Sequence, residues 1–114
     1  MARRLVTAHD VDVYVASVIV DANHHAAQVA GVIQPLSDEV RARLGPTDTI
    51  DVYERNGIIA RTCWVKIAGK RYCFSYNYDL HTVELRDGST QGALRYSFTN
   101  ATTLAQIQAQ AAAL

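Results

Sequence analysis

The chain has 114 residues, of which 11 are basic and 11 are acidic, so its formal net charge at pH 7 is zero. A chain of this length is expected to fold as one domain over residues 1–114, with a single hydrophobic core. Balanced charge argues against a nucleic-acid partner, because nucleic-acid-binding proteins usually carry a positive field. Two cysteines are too few for a disulfide framework and predict reduced thiols in a cytoplasmic protein.

Hydrophobic segments long enough for a membrane are missing from the sequence. It has no uninterrupted apolar run of about 18 residues, and the stretch before His9 and Asp10 is too short for the apolar part of a signal peptide. We therefore expect no membrane partner.

Apolar residues recur every three or four positions over residues 10–33, which predicts one long amphipathic helix. Thr7 or Asp10 is suited to cap its start, and Pro35 is expected to end it. The many β-branched residues over 11–20 leave a strand as the alternative for that part. A second, short helix is predicted to begin at Ser37 and to end at Gly45-Pro46, with a buried side made of Leu36, Val40 and Leu44.

Residues 49–78 are predicted to form three antiparallel strands joined by two tight turns. Asn56-Gly57 is the strongest short-range hairpin signal, because a type I′ turn needs a positive φ at both central residues. Ala68-Gly69 is the second predicted turn, although alanine disfavours a positive φ. Two-residue loops at both turns predict these cross-strand pairs: Arg55 with Ile58, Glu54 with Ile59, Val52 with Arg61, Ile50 with Cys63, Val65 with Tyr72, and Cys63 with Phe74.

Alternation along these three strands separates an apolar face from a polar one. The face predicted to lie in the core carries Ile50, Val52, Glu54, Ile59, Arg61, Cys63, Val65, Ile67, Tyr72, Phe74, Tyr76 and Tyr78. The polar face carries Asp51, Tyr53, Arg55, Ala60, Thr62, Trp64, Lys66, Arg71, Cys73, Ser75 and Asn77. Cys63 and Cys73 therefore fall on opposite faces, where they cannot form a disulfide; a three-residue loop at 68–70 would instead make them diagonal neighbours.

Two further strands are predicted over residues 82–86 and 93–99, the second with Leu94, Tyr96 and Phe98 on one face. Asn100 is expected to cap a last helix over residues 101–114. This helix carries no charged residue, so we expect it to dock on its own sheet or on a neighbouring subunit. A frayed tail is the alternative.

Four polar side chains are predicted to gather at one end of the apolar face: Glu54, Arg61, Tyr76 and Tyr78. In the predicted register Glu54 and Arg61 are diagonal neighbours, and Tyr76 lies beside Arg61. An acid, a base and phenols at the mouth of an apolar cup would suit a ligand-binding or proton-transfer site, because a low dielectric strengthens their hydrogen bonds. A salt bridge at the sheet edge is the alternative interpretation.

Metal and cofactor motifs are missing. His24 and His25 are adjacent and point about 100° apart on a helix, so they cannot chelate one ion together. Asp21 and His25 share a face but lack a third ligand. The sequence contains no HExxH, CxxC, GxSxG or glycine-rich phosphate loop. We therefore predict no metal, no cofactor and no catalytic residue, and leave open whether the protein is an enzyme.

Two surfaces are candidates for self-association. Tyr53 and Trp64 lie on the polar sheet face, and aromatic side chains within a polar rim are typical of protein interfaces. Leu104, Ile107 and Leu114 repeat at heptad-like spacing along the chargeless last helix. Both observations favour a homo-oligomer, with a dimer as the first choice.

The long N-terminal helix, followed by the meander IDVYERNGIIARTCWVKIAGKRYCFSYNYD, resembles the small proteins encoded by bacterial integron gene cassettes. The resemblance extends over the whole chain. It implies an accessory product of a mobile gene, with an α+β fold and often a homo-oligomeric state. It assigns no functional residue to this chain.

Together the elements predict an α+β fold with two N-terminal helices, an antiparallel meander of about five strands and a C-terminal helix, the helices covering one face of the sheet. The function predicted first is a non-enzymatic binding module that self-associates. The alternative is a small-molecule-binding enzyme or carrier with a pocket between the long helix and a curved sheet. Binding of single-stranded nucleic acid is the third and weakest hypothesis.

Overall fold

The computed structural model of the chain describes residues 2–56 and 58–114, with the side chains of all of these except 55 and 58–61. Over this part of the chain it contains three helices, one further helical turn and a six-stranded antiparallel sheet, which confirms the predicted α+β fold. The elements are β1 (Ala2–Arg4), α1 (Ala8–His25), α2 (Ala27–Ala30), α3 (Ile33–Arg43), β2 (Thr49–Arg55), β3 (Ile58–Ile67), β4 (Lys70–Asn77), β5 (Thr82–Asp87), β6 (Leu94–Phe98) and α4 (Leu104–Ala112).

The sheet is a meander in which β1 to β6 follow one another in sequence order. Its first strand, β1, was not among the predicted elements, because three residues are too few to show a period of two. This strand pairs with the edge of β2, where Ala2 lies opposite Tyr53 and Arg4 opposite Asp51. The Arg4 guanidinium donates two hydrogen bonds to the Asp51 carboxylate, at 2.9 and 3.2 Å, and these fasten the strand.

Both predicted turns are present. Arg55 pairs with Ile58, and Asn56 has a φ of 53°, as a two-residue loop requires. Gly57, the second residue of that turn, lies outside the described residues. Ala68 and Gly69 have φ angles of 52° and 82°, so alanine accepts the positive φ that it disfavours, and β3 and β4 pair in the predicted register.

The predicted register of β2 on β3 is right beside the turn and wrong beyond it. Glu54 pairs with Ile59 as expected, but Val52 pairs with Cys63 instead of Arg61, and Ile50 pairs with Val65 instead of Cys63. A bulge is the cause, since β3 contains two more residues than β2 between these pairs. An even number of extra residues preserves the alternation of side chains, so the predicted faces survive the error.

The helices cover the apolar face of the sheet, as predicted. Six of the residues assigned to that face are buried: Ile50, Val52, Val65, Ile67, Tyr72 and Phe74. Tyr78, at the end of the face, is exposed. The two cysteines are free and lie on opposite faces. Cys73 is fully buried on the polar face, where its cross-strand neighbours are Trp64 and Arg86.

Helix α1 begins as predicted and ends early. Thr7 accepts a hydrogen bond from the Asp10 backbone, and the Asp10 carboxylate accepts one from the Thr7 backbone, which together form a capping box. The helix, and not the alternative strand, runs through residues 11–20. One continuous helix over 10–33 is wrong, because the chain leaves the helical conformation at Ala26, where φ is −149° and ψ is 53°.

Pro35 does not end a helix, and Ser37 does not begin one; both predictions are wrong. Pro35 lies in the first turn of α3, which begins at Ile33. Backbone N–H groups in a first turn have no partner within the helix, so proline loses nothing there. The end of α3 at Arg43, just before Gly45-Pro46, agrees with the prediction, and Leu36 and Val40 are buried.

Asn100 is not the cap of the last helix, which begins instead after Thr103. The Thr103 hydroxyl accepts a hydrogen bond from the Gln106 backbone in a second capping box. The Asn100 side chain accepts a hydrogen bond from the Gly31 backbone and donates one to the Ala27 carbonyl, both at 2.8 Å. Asn100 therefore holds the short segment α2.

The last helix, α4, docks on its own chain, and α3 is the element it lies against. Ile107 and Ala111 are buried in this contact, whereas Leu104 is exposed. Arg43 of α3 donates hydrogen bonds to the carbonyl oxygens of Ala111 and Leu114, which satisfies acceptors at the end of α4. None of the helices in the described ranges has the length and hydrophobicity needed to cross a bilayer.

Candidate functional site

A cavity of about 130 Å³ lies between the helices and the covered face of the sheet. Its apolar lining comes from α1 and the segment after it, from α3, and from strands β2 to β5. These residues are Val11, Val15, Val18, Ala22, Ala26, Val29, Ile33, Leu36, Val40, Ile50, Val65, Phe74 and Val83. The composition of α1 explains the space, because its inward residues are mostly valine and alanine, which are too short to fill the gap above the sheet.

Polar side chains enter the cavity wall at a few places. Asp21, His25, Ser37 and Arg41 come from the helices. The His25 side chain is 65% exposed, so the cavity reaches the surface near the end of α1. The imidazole Nε2 of His25 lies 3.9 Å from Oδ1 of Asp21, which confirms their shared helix face but is too long for a hydrogen bond.

Tyr14, which is buried, and Cys63, which is half-buried, form a pair in the cavity wall, one from α1 and the other from β3. Burial raises the pKa of the Tyr14 hydroxyl far above its ordinary value, and a hydrogen bond with Cys63 acts in the same direction. Burial also raises the pKa of the Cys63 thiol to about 12, while the bond from Tyr14 acts to lower it. Both groups are therefore neutral at physiological pH.

Tyr76 is the predicted ligand-binding residue that the structure places in the cavity wall. Its hydroxyl lies 3.0 Å from Nδ1 of His81, within hydrogen-bond distance. The ring of Tyr78 packs edge-on against the Tyr76 ring, with the centroids 4.8 Å apart, although Tyr78 itself is exposed. The two tyrosines of the predicted site are thus brought together.

Glu54 lies elsewhere. Its carboxylate Oε2 is 3.3 Å from Nη1 of Arg3, and it does not appear among the described residues that line the cavity. Arg61 was predicted beside it, but the Arg61 side chain lies outside the described residues. The unpredicted strand β1 supplies Arg3, and for this reason Glu54 has an ion-pair partner at the sheet edge.

Sequence reasoning gave a pocket between the long helix and the sheet as part of its alternative function, but it missed the pair in the cavity wall. Tyr14 was assigned to the buried stripe of the helix and Cys63 to the core face of the sheet, but nothing indicated that the two would meet. A usable signal was the run of short side chains along a buried helix stripe that contains one tyrosine. A polar atom on a buried stripe needs a partner from the facing element.

The opposite, polar face of the sheet carries the predicted interface residues Tyr53 and Trp64. Tyr53 is exposed, and the Arg71 guanidinium lies 5.3 Å from the centroid of the Trp64 ring. Glu84 is buried on the same face, where it accepts hydrogen bonds from Asn77 and Arg86, each at 3.1 Å. This face is therefore a hydrogen-bonded surface with two aromatic rings set into it.

The predicted interface residues of α4 divide into two kinds. Ile107 is buried inside its own chain, and Leu114 is half-buried against the same core. Leu104 is exposed and available to a partner. Among the side chains that the structure describes, no three from His, Cys, Asp and Glu lie close enough together to hold a metal ion.

A comparison with curated proteins found no match. The family model described as "Integron cassette protein VCH_CASS1 chain" matches residues 11–108. This range contains α1 from residue 11 onward, the meander from β2 to β6 and every described residue of the cavity wall. The match extends over most of the chain and agrees with the resemblance drawn from the sequence, so the chain belongs to this family of integron cassette proteins.

Proposed function

We propose that the protein binds a small, mostly apolar molecule in the cavity between the helices and the sheet. The cavity itself is the observation that supports this function. An engineered cavity of about 150 Å³ lined by aliphatic and aromatic side chains stays dry and takes up benzene. The cavity of this protein, at about 130 Å³, is similar in size and lining. A ligand of roughly six non-hydrogen atoms is the size that such a space accepts.

The protonation state of Cys63, the thiol in the cavity wall, favours binding over covalent catalysis. The pKa of Cys63 is raised to about 12 by burial, and a neutral thiol is a poor nucleophile. Tyr14 is likewise too weak an acid to give up its proton at neutral pH. The groups that line the interior can orient a ligand, and they are not activated to attack one. We therefore propose a carrier or a binding module.

Val18→Phe is expected to weaken the binding of benzene by at least about tenfold, because the added ring would take the space of the ligand. Val18 lies on α1 and lines the cavity. Val20→Phe is the matched control, since Val20 is on the same helix but exposed to solvent. Benzene binding is measured by titration calorimetry and by methyl chemical shifts in NMR spectra.

In this experiment benzene shifts the methyl signals of the cavity residues in the wild type and in Val20→Phe. Wild-type protein that shows no shift at saturating benzene would contradict the proposed function. Equal binding by Val18→Phe and Val20→Phe would also contradict it, because the ligand would then lie elsewhere. Thermal unfolding with and without benzene gives an independent reading, since a ligand that binds the folded state raises the melting temperature.

We also propose that the protein self-associates through the polar face of the sheet. Six strands about 4.8 Å apart and averaging about 20 Å in length offer roughly 500 Å² from each copy. Two such faces together reach the total of about 1,000 Å² that specific interfaces need. Tyr53 and Trp64 are of the types that contribute most to interface energy, and Arg71 lies over the Trp64 ring.

Sedimentation velocity at micromolar concentration is expected to show a dimer. Trp64→Ser should raise the dissociation constant at least about tenfold, because truncating an aromatic anchor usually has an effect of this size. Leu104→Ser tests the other predicted interface, as Leu104 is the exposed apolar residue of α4. A dimer weakened by Leu104→Ser and not by Trp64→Ser would move the interface to α4. A wild type that stays monomeric would contradict both surfaces.

A further inference from the structure

The wall of the cavity contains one buried hydroxyl donor whose partner is weak. Tyr14 is only 7% exposed and lines the cavity, and the Cys63 thiol is the group that interacts most strongly with its hydroxyl. A thiol is a poor acceptor compared with oxygen. Buried tyrosine hydroxyls normally bond to a strong acceptor, because the burial of a polar group without one is costly.

The other polar groups of the wall are less suited to anchor a ligand inside. The Tyr76 hydroxyl is already within hydrogen-bond distance of His81. Arg41 donates to the Asp12 carboxylate and to the Ala8 carbonyl, so its charge is directed to the start of α1. His25 lies at the surface end of the cavity. The rest of the described wall is mostly aliphatic with one phenylalanine, and Asp21, Ser37 and Ser75 are its other polar residues.

We infer that the ligand of this cavity is a neutral molecule with a single strong acceptor, such as a carbonyl oxygen, and that the Tyr14 hydroxyl is its anchor. This inference rests on the proposed function. An acceptor oxygen that enters beside Tyr14 accepts a hydrogen bond from its hydroxyl more strongly than a thiol can, and the rest of the molecule occupies the apolar space. A charged ligand is disfavoured, because an ion in a mostly apolar wall loses its hydration and the charged groups of the wall, Asp21 and Arg41, already have partners.

A pair of probes with the same shape separates the hydrogen bond from the hydrophobic contact. Cyclopentanone and methylenecyclopentane each have six non-hydrogen atoms. The first has an oxygen where the second has a CH₂ group. Tyr14→Phe is expected to weaken the binding of cyclopentanone roughly three- to tenfold, which is the usual contribution of one neutral hydrogen bond. The affinity for methylenecyclopentane should change by less than about twofold. Affinities are measured by NMR titration of the cavity methyl groups.

Tyr72→Phe is the matched control, since it also removes the hydroxyl of a buried tyrosine, but one that is not among the described residues lining the cavity. It should leave the affinities for both probes within about twofold. The carbonyl stretch of cyclopentanone bound to the wild type gives a reading that needs no variant, and it is expected at lower frequency than in hydrocarbon solvent. An unshifted stretch, or a loss in Tyr14→Phe that is equal for both probes, would overturn the role of Tyr14.

The outcomes distinguish this inference from the proposed function. If both probes bind and cyclopentanone is insensitive to Tyr14→Phe, the cavity is a binding site and the anchor is wrong. A loss caused by Tyr76→Phe and not by Tyr14→Phe would move the anchor to Tyr76 and likewise overturn the inference. If neither probe binds the wild type, both the proposed function and the inference fail.

Discussion

Phe98→Ala is expected to lower the free energy of unfolding by about 3–5 kcal/mol, the usual cost of removing a buried phenyl ring. Phe98 is fully buried in β6, next to the ring of Tyr96 and opposite Val83 of β5. Removing it leaves a void at the edge of the core, where the surrounding strands cannot collapse without breaking their pairing. The change is measured by urea denaturation followed by circular dichroism.

Leu94→Ala in the same strand is the control, and it should cost no more than about 1 kcal/mol. The sequence predicted Leu94 on the same face as Phe98. The structure contradicts this: Leu94 is 50% exposed, because a bulge between Leu85 and Arg86 shifts the register of β6. A cost for Leu94→Ala as large as that for Phe98→Ala would mean that the bulge is absent and that the predicted register is right.

Ile107→Ala is expected to lower the free energy of unfolding by about 2–5 kcal/mol, as for other buried isoleucine and leucine residues. Ile107 is 1% exposed and belongs to the same core as the sheet residues. This cost should not depend on protein concentration, because the helix docks on its own chain. Unfolding is therefore measured at two concentrations at least tenfold apart.

Leu104→Ala, one turn earlier on α4, should cost less than about 1 kcal/mol, since Leu104 is 54% exposed. A cost of Ile107→Ala that changes with protein concentration would show that α4 is held by a second copy of the chain. Equal losses of unfolding free energy for Ile107→Ala and Leu104→Ala would contradict the structure, in which Ile107 is buried and Leu104 is exposed.

The structure brings together only part of the predicted ligand-binding site, because the rest depends on contacts between residues far apart in the sequence. Tyr76 and Tyr78 come together because they are two residues apart on one strand and share a face. Glu54 pairs with Arg3, which is far away in sequence and arrives through a strand too short to be recognised. The cavity was anticipated as a requirement of the small-molecule hypothesis, but its position beside Tyr14 follows from how the helices lie over the sheet.

The break at Ala26 shows how tertiary contacts can override a helical pattern. No proline or glycine occurs there, and the apolar period continues through it. The break lets α2 lie against β5 and bury Val29 and Val32. The side chain of Asn100, beyond the last strand, donates a hydrogen bond to the Ala27 carbonyl, which would accept a backbone hydrogen bond in a continuous helix. The burial of two valines and these hydrogen bonds offset the lost helical bonds.

By itself the sequence determined the turns, the first helix cap and the two faces of the central strands. Each of these depends on dihedral angles and hydrogen bonds within a few residues, as in the pairing around Ala68 and Gly69. Only the tertiary structure decided the bulges, the added edge strand, the helix break and the cavity. These depend on contacts between residues that are far apart in the chain, and no local pattern carries the free energy of such contacts.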